Sequence, residues 1–130
     1  MTISKVIWCD RGWQPHCYGF CPDEAAWKRE MRRLNTVGEP YPTSDARCTT
    51  FDRKGDTSSC TIVTISPLAA KRPRLQIVGL IVHEAMHVWR HVRESIGEQH
   101  PSTEFEAYSM QAISQSLISA YEKTRGKLLR

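Results

Sequence analysis

The sequence predicts a single compact α+β domain over residues 1–130, in which a small antiparallel sheet or hairpin packs on three helices. A chain of 130 residues can bury one hydrophobic core without metal or disulfide staples. Its candidate elements follow in the order strand, helix, hairpin, helix, helix, which is typical of an α+β domain. The sequence contains no internal repeat and no low-complexity tract that would indicate a second domain.

The first strand and the first helix come from the N-terminal third of the chain. The run "KVIW" at 5–8 predicts a short strand, which an irregular loop containing Gly and aromatic residues follows. A helix is expected from Pro22 and Asp23, because proline suits the first turn and aspartate can cap its free amides. Its inward face recurs at helical spacing as Trp27, Met31 and Leu34. The loop "NTVGEPYPTSD" then ends this helix near Asn35.

Two β-prone runs, within 46–65, surround "RKGD" and predict a hairpin. A long helix is expected from about Arg74 to Ser95, ended by Gly97 and by "HP" at 100–101. Ser102 or Thr103 can cap a last helix that continues to the region of Gly126. The inward stripe of that helix is expected to be Met110, Ile113, Leu117 and Tyr121.

Composition and charge favour a soluble, cytoplasmic protein. The net charge of +4 comes largely from "KREMRR", "KRPR" and the tail "KTRGKLLR". Such clusters are more often solvated faces than nucleic-acid sites, so nucleic acid is not an expected partner. No run of about 18 apolar residues predicts a membrane span, and the N-terminus lacks the pattern of a signal peptide.

Five cysteines in a chain without an export signal favour free thiols over a disulfide framework. Cys9, Cys17 and Cys21 lie close together in "CDRGWQPHCYGFC", but their spacing matches no zinc knuckle, so buried thiols are the simpler interpretation. Cys48 and Cys60 flank the hairpin turn, as cross-strand neighbours would.

The strongest functional signal is "HEAMH" at 83–87, inside the predicted long helix. On a helix, His83 and His87 are one turn apart, about 6 Å along the axis and about 40° around it. One zinc ion can accept a nitrogen from each at that spacing. Glu84 lies roughly 100° away from His83, where it suits a general base better than a third ligand.

The alternative to a metal site is a chance arrangement of polar residues on a solvent-exposed face of the helix. Apolar residues surround nearly the whole circumference of this helix, so we expect it to be buried on most sides. Burial of two imidazoles and a carboxylate without partners would cost several kcal/mol. A metal and its water would satisfy all three groups, which favours a metal site.

At this point the chain resembles the zincin metallopeptidases, which carry H-E-x-x-H on a central helix packed under a small sheet. The metzincin branch is excluded, because the motif continues here as "VWRHVR" rather than x-x-G-x-x-H. The gluzincin branch takes its third ligand from a glutamate on the following helix, and "EFEAY" is similar to that segment. The resemblance implies Glu104 as the ligand, with Ala107 in register. The first 40 residues resemble only small proteins carried by prophages.

The resemblance leaves several residues open. Tyr108 stands where many gluzincins have Asp or Asn, so it is a candidate donor of a hydrogen bond to substrate. Glu106 competes with Glu104 as third ligand, because helical angles place Glu106 near the inward stripe of the last helix. His100 and His91 are weaker candidates for the same place. One Zn²⁺ per chain is expected, with Glu84 and Tyr108 as the catalytic residues.

A peptide or protein substrate follows from the resemblance. Its expected reaction is hydrolysis of a peptide bond by a metal-activated water, with an extended peptide paired to the hairpin edge. The alternative is a zinc-containing binding or regulatory module without proteolysis, for which association with nucleic acid is left open. The small size of the chain favours that alternative, because it leaves little room for a second lobe to form a cleft.

Overall fold

The predicted fold class is confirmed by a computed structural model, which describes residues 3–36, 38–52 and 59–129. This part of the chain forms an α+β domain with a four-stranded sheet and three α-helices. The strands are β1 (Ile7–Trp8), β2 (Cys17–Cys21), β3 (Ala46–Asp52) and β4 (Ser59–Ile65). The helices are α1 (Glu24–Arg33), α2 (Arg74–Ser95) and α3 (Thr103–Arg125), with a single 3-10 turn at Ala69–Lys71 before α2.

The sheet is mixed, and its strand order is β1-β2-β4-β3. β3 and β4 pair antiparallel, from Ala46 opposite Ile65 to Asp52 opposite Ser59, as the predicted hairpin requires. The RKGD turn lies within 53–58, outside the described residues. β2 pairs in parallel with β4 and antiparallel with β1, so the expectation of a purely antiparallel sheet is corrected here. β3 is an edge strand of the described sheet.

The expectation of an irregular loop after β1 is wrong at Cys17–Cys21, which forms β2. The strand has only five residues and contains a glycine, and both features weaken the sequence signal for a strand. Gly19 is required where β2 pairs with β1, because a Cβ there would lie 2.7 Å from the backbone oxygen of Ile7. Phe20 is completely buried, as expected for a strand between two others.

The parallel pairing of β2 also changes the neighbours of the hairpin cysteines. Cys48 lies opposite Val63 and Cys60 lies opposite Phe51, so the two cysteines are not cross-strand neighbours. Cys60 is instead beside Cys17 on β2. Cys9, Cys17, Cys21 and Cys48 are free thiols.

Helices cover both faces of the sheet, and each face has its own apolar cluster. On one face α1 contributes Trp27 and Met31, which pack with Ile62 of β4. On the other face α2 and α3 pack against a larger cluster that includes Val63 of β4 and Phe20 of β2. The alternation of Ile62 and Val63 between the two clusters follows from the two-residue period of a strand.

Side-chain caps fix the starts of α1 and α3 where the sequence predicts them. Asp23 Oδ1 accepts a hydrogen bond of 2.8 Å from the backbone N–H of Ala26 at the start of α1. Ser102 Oγ accepts one of 3.2 Å from the N–H of Phe105 at the start of α3. Each cap satisfies an amide that has no partner within the helix.

The expectation that α2 is buried on most sides is wrong. Leu75 is 82% exposed, and Val82 and Met86 are 41% and 40% exposed. Within the described part of the chain, the sheet and α3 are the elements that cover α2, because α1 lies on the opposite face of the sheet. One long side of α2 therefore faces solvent. Among the described residues, neither α2 nor another helix combines the length and the apolar character that a membrane crossing needs.

Candidate functional site

The two motif histidines lie side by side on the solvent side of α2. Their ring centroids are 5.2 Å apart, and the side chain of His83 is 68% exposed. His87 is also exposed. This proximity follows from the four-residue spacing on a regular helix. The two imidazoles can therefore approach one ion from solvent without any rearrangement of the core.

Glu84 is the buried member of the motif, with a residue exposure of 5%. Its Oε2 lies 4.0 Å from Nε2 of His83. On its other side is β3, where the thiol of Cys48 donates a 3.3 Å hydrogen bond to the backbone oxygen of Glu84. Burial raises the pKa of the Cys48 thiol, and the neighbouring Glu84 carboxylate raises it further. Cys48 is therefore a neutral donor beside this carboxylate.

The flank of α2 that carries Glu84 faces the edge strand β3. His91 follows Glu84 by two turns on that flank, and its Nε2 is hydrogen-bonded to Oγ1 of Thr50 in β3 at 3.0 Å. At about 100° per residue, His83 and His87 lie about 100° and about 60° from Glu84, both toward solvent. The motif thus borders the outer edge of the sheet.

The opposite flank of α2 contacts the start of α3. Trp89 packs edge-on against Phe105, with ring centroids 5.6 Å apart, and its Nε1 donates a 2.8 Å hydrogen bond to Oε2 of Glu106. Arg93 Nη1 lies 3.7 Å from the same oxygen. Glu106 therefore ties α3 to α2.

The structure does not bring the predicted third ligand to the histidine pair. Trp89, which contacts α3, lies about 120° around the helix from His83 and about 160° from His87. Glu104 is an exposed residue in the first turn of α3. Among the described residues, no group of three or more His, Cys, Asp or Glu side chains is placed to hold a metal ion.

The other residues considered from sequence lie in different places. Tyr108 is 66% exposed and lines a cavity together with Trp89 and Phe105, on the α3 flank of α2. His100 is exposed in the connection between α2 and α3. His91 is hydrogen-bonded to β3, as described above. None of these side chains adjoins the histidine pair in a metal-binding group among the described residues.

The three N-terminal cysteines do not share a site with a metal geometry in the described part of the chain. Burial raises the pKa of the Cys9 and Cys21 thiols to about 12 each, so both are neutral. Cys17 is partly exposed, and its Sγ accepts a 3.0 Å hydrogen bond from Nη1 of Arg11.

Sequence reasoning missed a buried hydrogen-bonded network around His16, which is only 1% exposed. Nδ1 of His16 is 2.7 Å from Oγ of Ser59, and Nε2 is 2.6 Å from Oγ1 of Thr61. Thr61 is hydrogen-bonded to Thr50 at 2.9 Å, and Thr50 to His91. The rings of His16 and His91 stack with centroids 5.5 Å apart. A single histidine in "QPHC" carried no sequence signal for this network.

The network makes stability depend on pH. The pKa of His16 is lowered from 6.5 to about 4, mainly by burial and in part by nearby His91, while Asp52 opposes the shift. The unfolded chain therefore binds a proton first as the pH falls. We expect the urea midpoint at pH 7.5 to be maintained down to about pH 6.5 and to fall progressively toward pH 4.

His16→Gln is expected to flatten that fall, whereas the exposed His100→Gln is expected to retain it. Urea titrations of the three proteins at several pH values between 4 and 7.5 make the comparison. An unchanged slope in His16→Gln would assign the pH dependence to other groups.

Comparison of the chain with protein-family models, with curated proteins and with solved structures finds no match.

Proposed function

We propose that the protein is a zinc-dependent hydrolase of peptide bonds, with zinc held at His83 and His87 and Glu84 as general base. The observation that carries the proposal is the buried Glu84 carboxylate 4.0 Å from an exposed imidazole. Burial of a carboxylate is costly unless it is paired or serves a chemical purpose. Its position between the edge strand and the histidine pair fits a base that acts on a molecule bound at that edge.

The residues present fit zinc in part. His83 and His87 supply two nitrogen donors of the type that zinc prefers, at the spacing that one ion requires. A third donor does not fit, because no third donor group joins the pair among the described residues and Glu106 of α3 is bonded to Trp89. The proposal therefore assigns the metal to the histidine pair alone.

Glu84 performs the proton transfers in the proposed reaction. When bound, zinc would supply a Lewis acid and lower the pKa of water near it. The Glu84 carboxylate accepts a proton from the attacking water and passes it to the leaving amine. The neutral Cys48 thiol beside Glu84 adds no negative charge to the site.

The edge strand β3 provides the means of holding an extended substrate. Its partner β4 lies on one side only, and the Cys48 side chain of β3 contacts α2 at Glu84. Unpaired backbone groups on such an edge bind a peptide by adding a strand. A peptide or a locally unfolded protein segment is therefore the proposed substrate.

One equivalent of zinc per chain is the result expected from elemental analysis of protein purified without a histidine tag and without added metal. The two exposed imidazoles are the reason, since their spacing already suits one ion. Less than about 0.2 equivalents in the purified protein, with no uptake from added zinc, would contradict the metal assignment.

A second candidate is a zinc-containing binding or regulatory module without proteolysis. The lack of a third donor group among the described residues favours it, since catalytic zinc sites use three protein ligands. Both candidates predict zinc at the pair. They differ in whether Glu84 matters for an activity, and the substitution of that residue distinguishes them.

A further inference from the structure

Two large aromatic side chains are exposed around a cavity on the α3 flank of α2. Trp13 is 74% exposed and Tyr108 is 66% exposed. Both line a cavity of about 520 Å³, which lies within the usual size range of ligand sites. Exposed aromatic residues that gather at one concave surface indicate a binding site more strongly than isolated ones do.

The loop that carries Trp13 is braced by its own hydrogen bonds. Asp10 Oδ1 accepts a 2.9 Å hydrogen bond from the N–H of Gly12, whose positive φ of 62° suits glycine. Arg11 Nη1 donates to the backbone oxygen of Pro15 at 2.9 Å. The Gln14 amide exchanges two hydrogen bonds, of 2.6 and 2.7 Å, with the backbone of His16. Trp13 is thus presented by an ordered loop.

One face of Trp13 is supported from below by other rings. Its ring stacks on Phe105 with centroids 6.2 Å apart and an interplanar angle of 21°. Phe105 in turn packs edge-on against the buried Trp89. The other face of Trp13 is left to solvent, so a further planar group can stack there.

Cationic side chains lie beside the cavity that Trp13 and Tyr108 line. Two further cavities share Asp10 with the first, and their lining includes Lys123 in one and Arg11 and Arg33 in the other. Of the described residues that line the three cavities, Asp10 is the single carboxylate. Of the three cations, Arg33 is paired with Glu30, whereas Arg11 and Lys123 form no ion pair with another described residue. The chain as a whole carries +4. The surface therefore complements a polyanion with planar groups.

We propose that this surface, made of Trp13, Tyr108, Lys123, Arg11 and Arg33, binds single-stranded nucleic acid. A base stacks on the free face of Trp13 or against Tyr108, and the cations contact phosphates, which is how proteins bind single strands without sequence preference. An apolar protein segment fits less well, because cations and Asp10 border the aromatic rings. The surface lies on the opposite flank of α2 from His83 and His87, so binding does not require zinc.

The test uses the whole chain, treated with chelator to remove zinc, and a fluorescein-labelled 12-nucleotide single-stranded DNA followed by anisotropy. Trp13→Ala and Tyr108→Ala are each expected to weaken binding by about 5- to 150-fold, the range that stacking of one base supplies. Leu68→Ala removes a 75% exposed apolar side chain elsewhere and is expected to bind as the unmodified protein does. Circular dichroism melts establish that each variant is folded.

Two variants that each remove one lysine distinguish binding at this surface from nonspecific attraction to the positive charge of the chain. Lys123→Gln is expected to weaken binding and to reduce the slope of log affinity against log salt by about 0.7, the value for one phosphate contact on a single strand. Lys71→Gln, outside the three cavities, is expected to change the slope less. Equal effects of the two lysine variants, undiminished binding by Trp13→Ala, or absence of binding would overturn the proposal. Zinc binding at the histidine pair is measured separately, so either proposal can fail alone.

Discussion

Glu84→Gln is expected to lower the rate of peptide hydrolysis by about two to four orders of magnitude while zinc remains bound. General-base catalysis by a positioned side chain contributes a factor of this size, and an amide cannot accept the proton. Glutamine has nearly the shape of glutamate, so it fills the same buried space next to Cys48 of β3. The measurement combines cleavage of a mixed peptide library, read by mass spectrometry, with zinc analysis of the same samples.

Glu94→Gln is the matched control, since it makes the same chemical change at an exposed position of the same helix. It is expected to leave both cleavage and zinc content unchanged. Loss of zinc from Glu84→Gln would show that this residue is a ligand and that its assignment as base is wrong. Equal cleavage by Glu84→Gln and the unmodified protein would show that Glu84 is not the base, whereas zinc binding without cleavage by the unmodified protein would favour the non-proteolytic zinc module.

Local signals in the sequence were sufficient for the helices. Capping residues such as Asp23 and Ser102 make their hydrogen bonds within three residues of the chain, so the pattern that predicts them is also the interaction that forms. β2 could not be predicted in this way. It is stabilised by parallel pairing with β4, whose partner residues lie more than 40 positions away, and by a close approach to β1 at Gly19.

The candidate site also combines one feature that local sequence determines with one that depends on long-range packing. The spacing of His83 and His87 fixes their proximity, because a regular helix alone determines it. The position of Glu104 relative to them depends on the direction from which α3 packs on α2. Trp89 and Glu106 establish that direction through a long-range contact. No periodicity in either helix encodes it.

The composition of α2 predicts more burial than the structure has. Leu75, Val82 and Met86 make the helix look apolar all round, and that pattern is typical of a helix covered on every side. Of the elements that the structure describes, the sheet and α3 cover it, and these side chains remain partly or largely exposed. The same exposure opens the histidine pair to solvent, which favours binding of an ion from solution.

His83→Ala and His87→Ala are each expected to lower zinc affinity by orders of magnitude. Each substitution removes one of the two donors that the structure brings together. Because His83 is 68% exposed, its loss should change the stability of the zinc-free protein by no more than about 0.5 kcal/mol. Competition titration against a zinc-binding dye measures the affinity, and urea titration measures the stability.

Zinc itself should stabilise only the protein that binds it. A ligand that binds the folded chain at 100 times its dissociation constant adds about 2.7 kcal/mol to the free energy of unfolding. The unmodified protein is therefore expected to show a rise in melting temperature with zinc, and His83→Ala is expected to show almost none. A similar rise in both would place the metal elsewhere in the chain.

Glu104→Gln and Glu106→Gln extend this prediction to the third ligand, because they remove one carboxylate each from the first turn of α3. Glu106 accepts the Trp89 hydrogen bond and pairs with Arg93, so Glu106→Gln should weaken the contact between α2 and α3 while zinc affinity stays the same. A loss of zinc affinity in Glu104→Gln would mean that α3 reaches the histidine pair when zinc binds, as the resemblance to gluzincins implies. Unchanged affinity in Glu104→Gln is the expected result, because the proposal assigns the metal to the histidine pair alone.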